Sequence, residues 1–502
     1  MTGARHATHA ASLRVVLTTV ALAGGGGLPA RAADDLRLVE AARRNDPAAV
    51  RVLLAEGLDV DARHPDGSTA LLWTTHYDEE ETAALLIAAG ADVDAANDYG
   101  ESPLSQAGRN GNAELAAALL AAGADPHAVK PTGETLLMTA ARAGSGAVVD
   151  LLLARGAAVD ARESANGQTA LMLAAAHRQN TVARALIAAG ADVNAASTRG
   201  STALHFAVQQ GDVPLARLLL AAGADMHAAL TVRQMDQFTL GLVETFDRQT
   251  PLWLAITNCR RDGLEYFGST EPHPVSLSCP VNAELGALFL EQGADPNAAD
   301  GAGFRPLHRA VQAGMPELVA ALLAHGADPD TRVPPDVRQW TGENRGGART
   351  IAPVPIGATP LFIAAWTHNP EIMRTLLAAG ADPHLAAADG TPPLAAAAGT
   401  RGRPPMGYSR QLDTPRMLAA VRIALDAGAD VNAANIAGRT AMHGAAALGS
   451  TALIELLAER GARIDVEDNE GRTPLDLATE GGGYEEAGSD GAAPLLKTLA
   501  DR

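Results

Sequence analysis

The stretch LLIAAGADVDAANDYGESPLSQA, Leu85 to Ala107, decides the fold, because it does not occur once. It returns as LLAAGADPHAVKPTGETLLMTA (Leu119 to Ala140), as LIAAGADVNAASTRGSTALHFA (Leu186 to Ala207) and, in part, as LLAHGADPDTR (Leu322 to Arg332). The glycine that opens each G-A-D or G-A-x tag falls at Gly90, Gly123, Gly156, Gly190 and Gly223. After a long gap it falls again at Gly293, Gly326, Gly380, Gly428 and Gly461, and the undisturbed spacing is 33 or 34 residues. A period of that length is the mark of a stacked array, in which each unit is one small supersecondary element. A chain of 502 residues is too long for a single compact core, and an array answers that constraint. Aromatic residues make up only 3% of the chain, so the core is built from Ala, Leu and Gly packed closely.

Each part of the period has a physical reading. Thr250-Pro251, Thr359-Pro360 and Thr473-Pro474 start a helix, the Thr oxygen capping a free backbone N–H and the Pro standing where no hydrogen bond is lost. Thr69, Thr169 and Thr202 serve the same purpose with Ala after them. A short first helix packs Leu and Ala inward. A second helix carries the Leu-Leu pair and ends at Gly, which accepts the left-handed conformation. The Asp that follows opens a turn into a hairpin-like finger. One such unit cannot bury its own apolar face, whereas stacked neighbours bury it together.

This pattern resembles the ankyrin repeat, whose units run G-x-T-P-L-H-x-A-A, a short turn, then L-L-x-x-G-A-D-V-N-A. The resemblance implies an all-α repeat solenoid of about twelve stacked helix-turn-helix units with finger loops, spanning residues 33–502. Residues 35–66 would form an N-terminal cap and 469–502 a C-terminal cap.

The first residues read as a secretory signal, residues 1–32. Arg5, His6, His9 and Arg14 give a basic opening, VVLTTVALAGGGGL an apolar run, and Ala30-Arg31-Ala32 a small-residue cleavage site. The run is too short and too rich in glycine to span a membrane, and no other apolar stretch reaches membrane length without charges. The expectation is a Sec-exported, periplasmic or secreted protein, cleaved near Ala32, in a compartment that permits disulfides. The net charge of −19 with no basic stripe argues against nucleic-acid binding and steers the chain toward a partner with basic patches.

Three disturbances break the period. The first extends a finger at 230–249 and then separates two helices at 259–279, with Cys259 and Cys279, the two cysteines of the chain, at its ends. The second, 333–356, carries Trp340 and Arg338. The third, 399–415, carries Tyr408 and several arginines. Loops tolerate length cheaply, but aromatic and Arg side chains are concentrated here in a chain poor in aromatics, and they are the residue types of interface hot spots. Tyr266 and Phe267, between the cysteines, are contact candidates. The pair Cys259 and Cys279 lacks the C-x-x-C spacing of a redox dithiol. Together with His273 it also lacks a fourth zinc ligand, which leaves a structural disulfide as the expectation, with a loop-closing contribution of roughly 3 kcal/mol.

The ankyrin resemblance also implies a groove lined by the first helices and the fingers. Matching positions are Trp73 and Tyr77, Arg109, Arg142, His177, Phe206 and Gln209, Arg309, and Trp366. A large residue at such a position could instead fill space beside a displaced helix. His205, His308 and His443 stand at the His of T-P-L-H and are expected to hold backbone. His127, His227 and His384 stand at the Asn of D-V-N-A. No H-E-x-x-H, G-x-S-x-G or phosphate-binding G-x-x-x-x-G-K occurs, so no catalytic residue, cofactor or metal is expected. The function expected is a non-catalytic scaffold for a protein partner. The alternative is an enzyme or small-ligand protein with a site between 230–282 and 333–356, using Glu265, His273, Arg338 or Trp340.

Overall fold

The structure is a computed structural model that describes residues 35–230, 250–257, 280–300, 303–335, 354–400, 414–480 and 491–501. The signal segment 1–32, Cys259, Cys279, Tyr266, Phe267, Trp340 and Tyr408 lie outside the described residues, as do Glu265, His273 and Arg338. By packing the chain divides into two units, 1–103 and 104–502.

The first unit holds two helix pairs, α1 (Arg37–Arg43) with α2 (Pro47–Ala55) and α3 (Ala70–His76) with α4 (Glu80–Ala88). Each first helix packs on the next first helix, α1 on α3, and each second on the next second, α2 on α4. Leu38, Val39, Val50, Leu71, Ala83 and Leu86 are wholly buried between them.

The second unit repeats the arrangement. Its helices are α5 (Pro103–Asn110), α6 (Ala113–Ala121), α7 (Leu136–Ala143), α8 (Gly146–Ala154), α9 (Ala170–Ala176), α10 (Asn180–Ala188), α11 (Ala203–Gln209) and α12 (Val213–Ala221). After the first disturbance come α13 (Pro251–Thr257), α14 (Pro280–Glu291), α15 (Pro306–Gln312), α16 (Pro316–Ala324), α17 (Pro360–Trp366) and α18 (Pro370–Ala378). The remaining helices are α19 (Pro393–Ala397), α20 (Thr414–Asp426), α21 (Ala441–Ala447), α22 (Thr451–Glu459), α23 (Pro474–Glu480) and α24 (Ala492–Ala500). From α7 to α23 each first helix rests on the next, and from α6 to α24 each second helix does the same. The layer of first helices is held close by small residues. At Gly444 of α21 a methyl group would lie 2.6 Å from the carbonyl oxygen of Ala398, so a larger residue there would push two helices apart.

Most of the expected caps are present; Thr202 is the exception, since its hydroxyl and its N–H both meet His205 Nδ1 and its side chain takes no helix N–H. Thr69, Thr169 and Thr359 accept the N–H of Leu72, Met172 and Phe362 at 3.2–3.4 Å. Five of the second helices, α2, α6, α12, α18 and α22, are capped by Asp46, Asn112, Asp212, Asn369 and Ser450. Most described fingers are tight turns closed by one pair of residues four apart, as in His64 N–H to Ser68 O (2.9 Å) and Lys130 N–H to Glu134 O (2.9 Å); the finger closed by Glu163 N–H and Gln168 O is one residue longer. The turn glycine, with φ of 81° at Gly67 and 77° at Gly133, adopts a conformation open to few other residues.

Hydrogen bonds also run from one repeat to the next. Asn166 O accepts from Thr198 N–H (2.8 Å), and Asp389 O from Ile436 N–H (2.9 Å), so successive finger tips form rungs. A second set starts from the Asn of D-V-N-A. Asn194 accepts the N–H of Asp225 (2.7 Å) and donates to Gly223 O (3.0 Å), and Asn297 and Asn432 do the same to their next repeats. Asp61, Asp160 and Asp330 at the same place accept one N–H each, because a carboxylate has no donor to return.

Two disturbances can be placed by these bonds. Val333 N–H reaches Ala358 O (3.0 Å), and Gly357 N–H reaches Val333 O (2.9 Å). This is the closure of fingers such as His64 to Ser68, and here the turn is completed by Pro355, Ile356 and Gly357, so the extra residues fall in sequence after Val333. The other lies between the two helices of a pair, since Thr400 N–H still bonds Ala395 O (3.0 Å) before α20 begins.

Removing the two-sided bridge of Asn194 is expected to lower unfolding free energy by about 1 kcal/mol in Asn194→Ala, and by less in Asn194→Asp, which keeps the acceptor. Urea denaturation of the two variants measures the order.

Candidate functional site

The row expected from the sequence lies on the first helices and the residues just after them. Trp73, Phe206 and Arg309 are the fourth residues of α3, α11 and α15. Arg109, Arg142, Gln209 and Trp366 are the seventh residues of α5, α7, α11 and α17, and Tyr77 and His177 directly follow α3 and α9. Within each helix these positions share one face through helical spacing.

In the first unit Trp73, His76 and Tyr77 form one aromatic cluster. Tyr77 stacks on Trp73 at 6.3 Å between centroids, and His76 meets both rings edge-on at 5.8 and 5.0 Å. Tyr77 is 40% exposed, and its hydroxyl donates to Arg43 O (3.0 Å), which fixes the ring across two repeats. The indole Nε1 of Trp73 is buried without a hydrogen-bond partner, a small penalty carried by a ring that otherwise packs well.

In the second unit Arg109, Arg142 and His177 are exposed, while Phe206, Gln209 and Arg309 are half-buried. Arg142 pairs with Glu134, which also accepts from the Thr139 hydroxyl (2.9 Å). Arg309 lies over the Phe304 ring (4.1 Å to the centroid) and donates to Gln312 (3.0 Å). Trp366 is only 6% exposed, so at this point of the row the indole fills space between helices, the second of the two readings open to a large residue there.

One feature was missed from the sequence. Among the described residues the position that ends each first helix is left-handed, and it is glycine at Gly111, Gly144, Gly211, Gly314, Gly399 and Gly449. At Asn45, Asp78, Arg178 and His368 a side chain takes that conformation, with φ between 53° and 60°. For Arg and His this costs on the order of 1 kcal/mol. Arg178 donates to Gln210 O (3.3 Å) and His368 Nε2 donates to Ala397 O (3.0 Å), so each reaches the carbonyl end of the next first helix. Aligning the repeats would have exposed the four substitutions of glycine.

The T-P-L-H histidines hold backbone. His308 Nδ1 accepts Arg305 N–H (3.2 Å), which leaves its proton on Nε2 to donate to Thr331 O (3.1 Å) in the following finger. His443 makes the same two bonds, to Thr440 N–H and Arg472 O. Burial pushes the His308 imidazole down to about 4. Among the described residues no group of three or more His, Cys, Asp or Glu side chains is arranged to hold a metal ion. Nor is any described helix long and apolar enough to cross a membrane.

Helix pairs joined by fingers, each stacked on the next, define a repeat protein of the ankyrin class. Stretches 38–130, 109–197, 137–230, 282–387 and 415–488 match the family described as ankyrin repeats (3 copies), and together they take in well over half of the chain. The chain belongs to the ankyrin-repeat family. It is 32% identical over 220 residues to ankyrin repeat and SOCS box protein 16 of Homo sapiens, covering 38% of this chain and 44% of that one. It is 34% identical over 211 residues to the B-cell lymphoma 3 protein homolog of Mus musculus, covering 41% and 40%. It is also 27% identical over 219 residues to the E3 ubiquitin-protein ligase KEG of Arabidopsis thaliana, covering 38% of this chain and 12% of the ligase. The chain thus spans less than half the length of each of these relatives.

Because the unfolded imidazole takes up a proton near pH 6.5 and the buried one does so only near 4, stability is fully present above pH 6.5 and falls below it. Between pH 7 and 5 His308 is expected to account for a loss of about 2 kcal/mol. Denaturation midpoints should therefore depend less steeply on pH over that range in His308→Gln than in the parent chain.

Proposed function

We propose that this protein is an exported, non-catalytic ankyrin scaffold that captures another protein on the row of first-helix residues and on its insertions. Ankyrin repeats generally mediate protein–protein interaction. The observation that carries the reading here is the recurrence of accessible Tyr77, Arg109, Arg142, His177, Phe206 and Gln209 at matched places in successive repeats. These side chains stand on helices fixed by caps and by repeat-to-repeat hydrogen bonds, so a partner would order little of the scaffold on binding. Their chemistry is that of contact and not of reaction: aromatic rings, guanidinium groups and amides, with no nucleophile held against a base along the row.

Export rests on the amino-terminal pattern of a basic opening, an apolar run and Ala30-Arg31-Ala32. A disulfide between Cys259 and Cys279 follows from that compartment, and would pin the segment that carries Tyr266 and Phe267. Trp340 and Tyr408, on the other two insertions, are further contact candidates.

Two experiments test the reading. Affinity capture from the exported fraction is expected to recover a protein partner, and Phe206→Ala to weaken that capture by about tenfold or more; undiminished capture would move the interface off the row. Peptide mass spectrometry of exported protein is expected to find a chain starting close to residue 33 with Cys259 linked to Cys279. Two free thiols in exported protein would remove the disulfide.

A further inference from the structure

Three histidines stand at the last place of the T-P-L-H motif, and one of them lacks a neighbour that the other two have. His205 and His443 follow Thr202 and Thr440, whose hydroxyls lie 2.9 and 3.0 Å from the ring Nδ1. His308 follows Arg305, whose side chain brings no oxygen. The difference bears on protonation. A hydroxyl donates to a bare ring nitrogen and accepts from a protonated one, so it can turn round when the ring gains a proton. The backbone N–H of Arg305, 3.2 Å from His308 Nδ1, can only donate. A proton on that nitrogen sets two donors against each other, around a side chain that is only 1% exposed.

The charges around the rings differ in the same direction. Arg305 and Arg309, which bracket His308 in sequence, both oppose a positive ring. The helices packed on α15 are α13, α16 and α17. No titratable side chain stands on α13 or α17, and α16 carries Glu317, which is exposed. Asp300, in the finger before α15, faces Arg309 (4.0 Å). From the finger that follows, His308 meets the carbonyl oxygens of Thr331 and Ala358. His443 has Asp468 beside it, which favours a positive ring, against Arg439, which opposes one. Burial lowers the proton affinity of both rings and takes His308 down to about 4.

His308 holds more than its own helix. Its Nε2–H donates to Thr331 O (3.1 Å), at the foot of the finger closed by Val333 and Ala358. We propose that this joint is an acid-triggered release: protonation of His308 expels the ring, breaks its bond to Thr331 and opens the finger formed by 331–333 and 354–358, while the finger closed by Asp468 and Arg472, which His443 holds, stays shut. The open joint takes up its proton near the ordinary imidazole value of 6.5 and the closed one only near 4, so opening is favoured progressively as pH falls between those values. From pH 7 to pH 5 the opening equilibrium rises about twentyfold. A stacked array can open in this way at one joint, because each repeat touches only its neighbours.

The test is amide hydrogen exchange of the full chain at pH 7, 6 and 5, read by mass spectrometry and corrected for the intrinsic pH dependence of exchange. The amides of Val333, Gly357 and Ala358 are expected to lose about twentyfold in protection from pH 7 to pH 5, and those of Asp468 and Gly471 several-fold less. Arg305→Thr supplies the missing hydroxyl and is expected to keep about fivefold more protection than the parent chain at pH 5. His308→Gln accepts and donates without titrating, so its protection should show no step with pH. Equal losses in the two fingers, a loss that persists in His308→Gln, or no gain in Arg305→Thr would overturn the proposal. Should His308→Gln fail to fold, Arg305→Thr decides alone, since it returns the residue that starts α11 and α21.

Discussion

No helix pair in this chain can cover its own apolar face. Leu86, Leu119, Leu152 and Leu219 are buried because another pair lies against them, and the rest of the structure follows from that dependence. The first helices must come close, which explains the alanines and the contact at Gly444. The fingers must stay in line, which explains rungs such as Asn166 to Thr198. A hydrogen bond between repeats contributes little alone, but it fixes register between surfaces that are otherwise alike and could slide.

How much was legible in the sequence depends on whether a residue's role is local. The capping of Thr69, Thr169 and Thr359 could be read directly, since donor and acceptor are three residues apart. So could the backbone role of His308 and His443, whose Nδ1 bond is also local. The double bridge of Asn194 was harder to see, because its partners lie about thirty residues away and appear only when repeats are laid side by side. The same holds for Arg178 and His368. Each breaks a local rule against side chains in the left-handed region, and the gain is made in the following repeat.

The row of candidate contacts divides along similar lines. Its positions could be read, because the period alone gives Trp73, Phe206 and Arg309 the same place in their helices. Its chemistry could not. Trp366 occupies a place equivalent to Arg109 and Arg142, yet it is covered where they are exposed.

The finger closed by Val333 and Ala358 has one further consequence. The hydrogen bonds that define it are those of a finger with no extra residues, and Asp330 and Arg332 still reach Asp382 and Ala386 in the next repeat. Whatever leaves the array after Val333 therefore returns to it with the register intact. Such a junction works as a socket: the sequence between Pro335 and the buried Val354 could be exchanged for a different one, by evolution or by an engineer, without retuning the helices on either side.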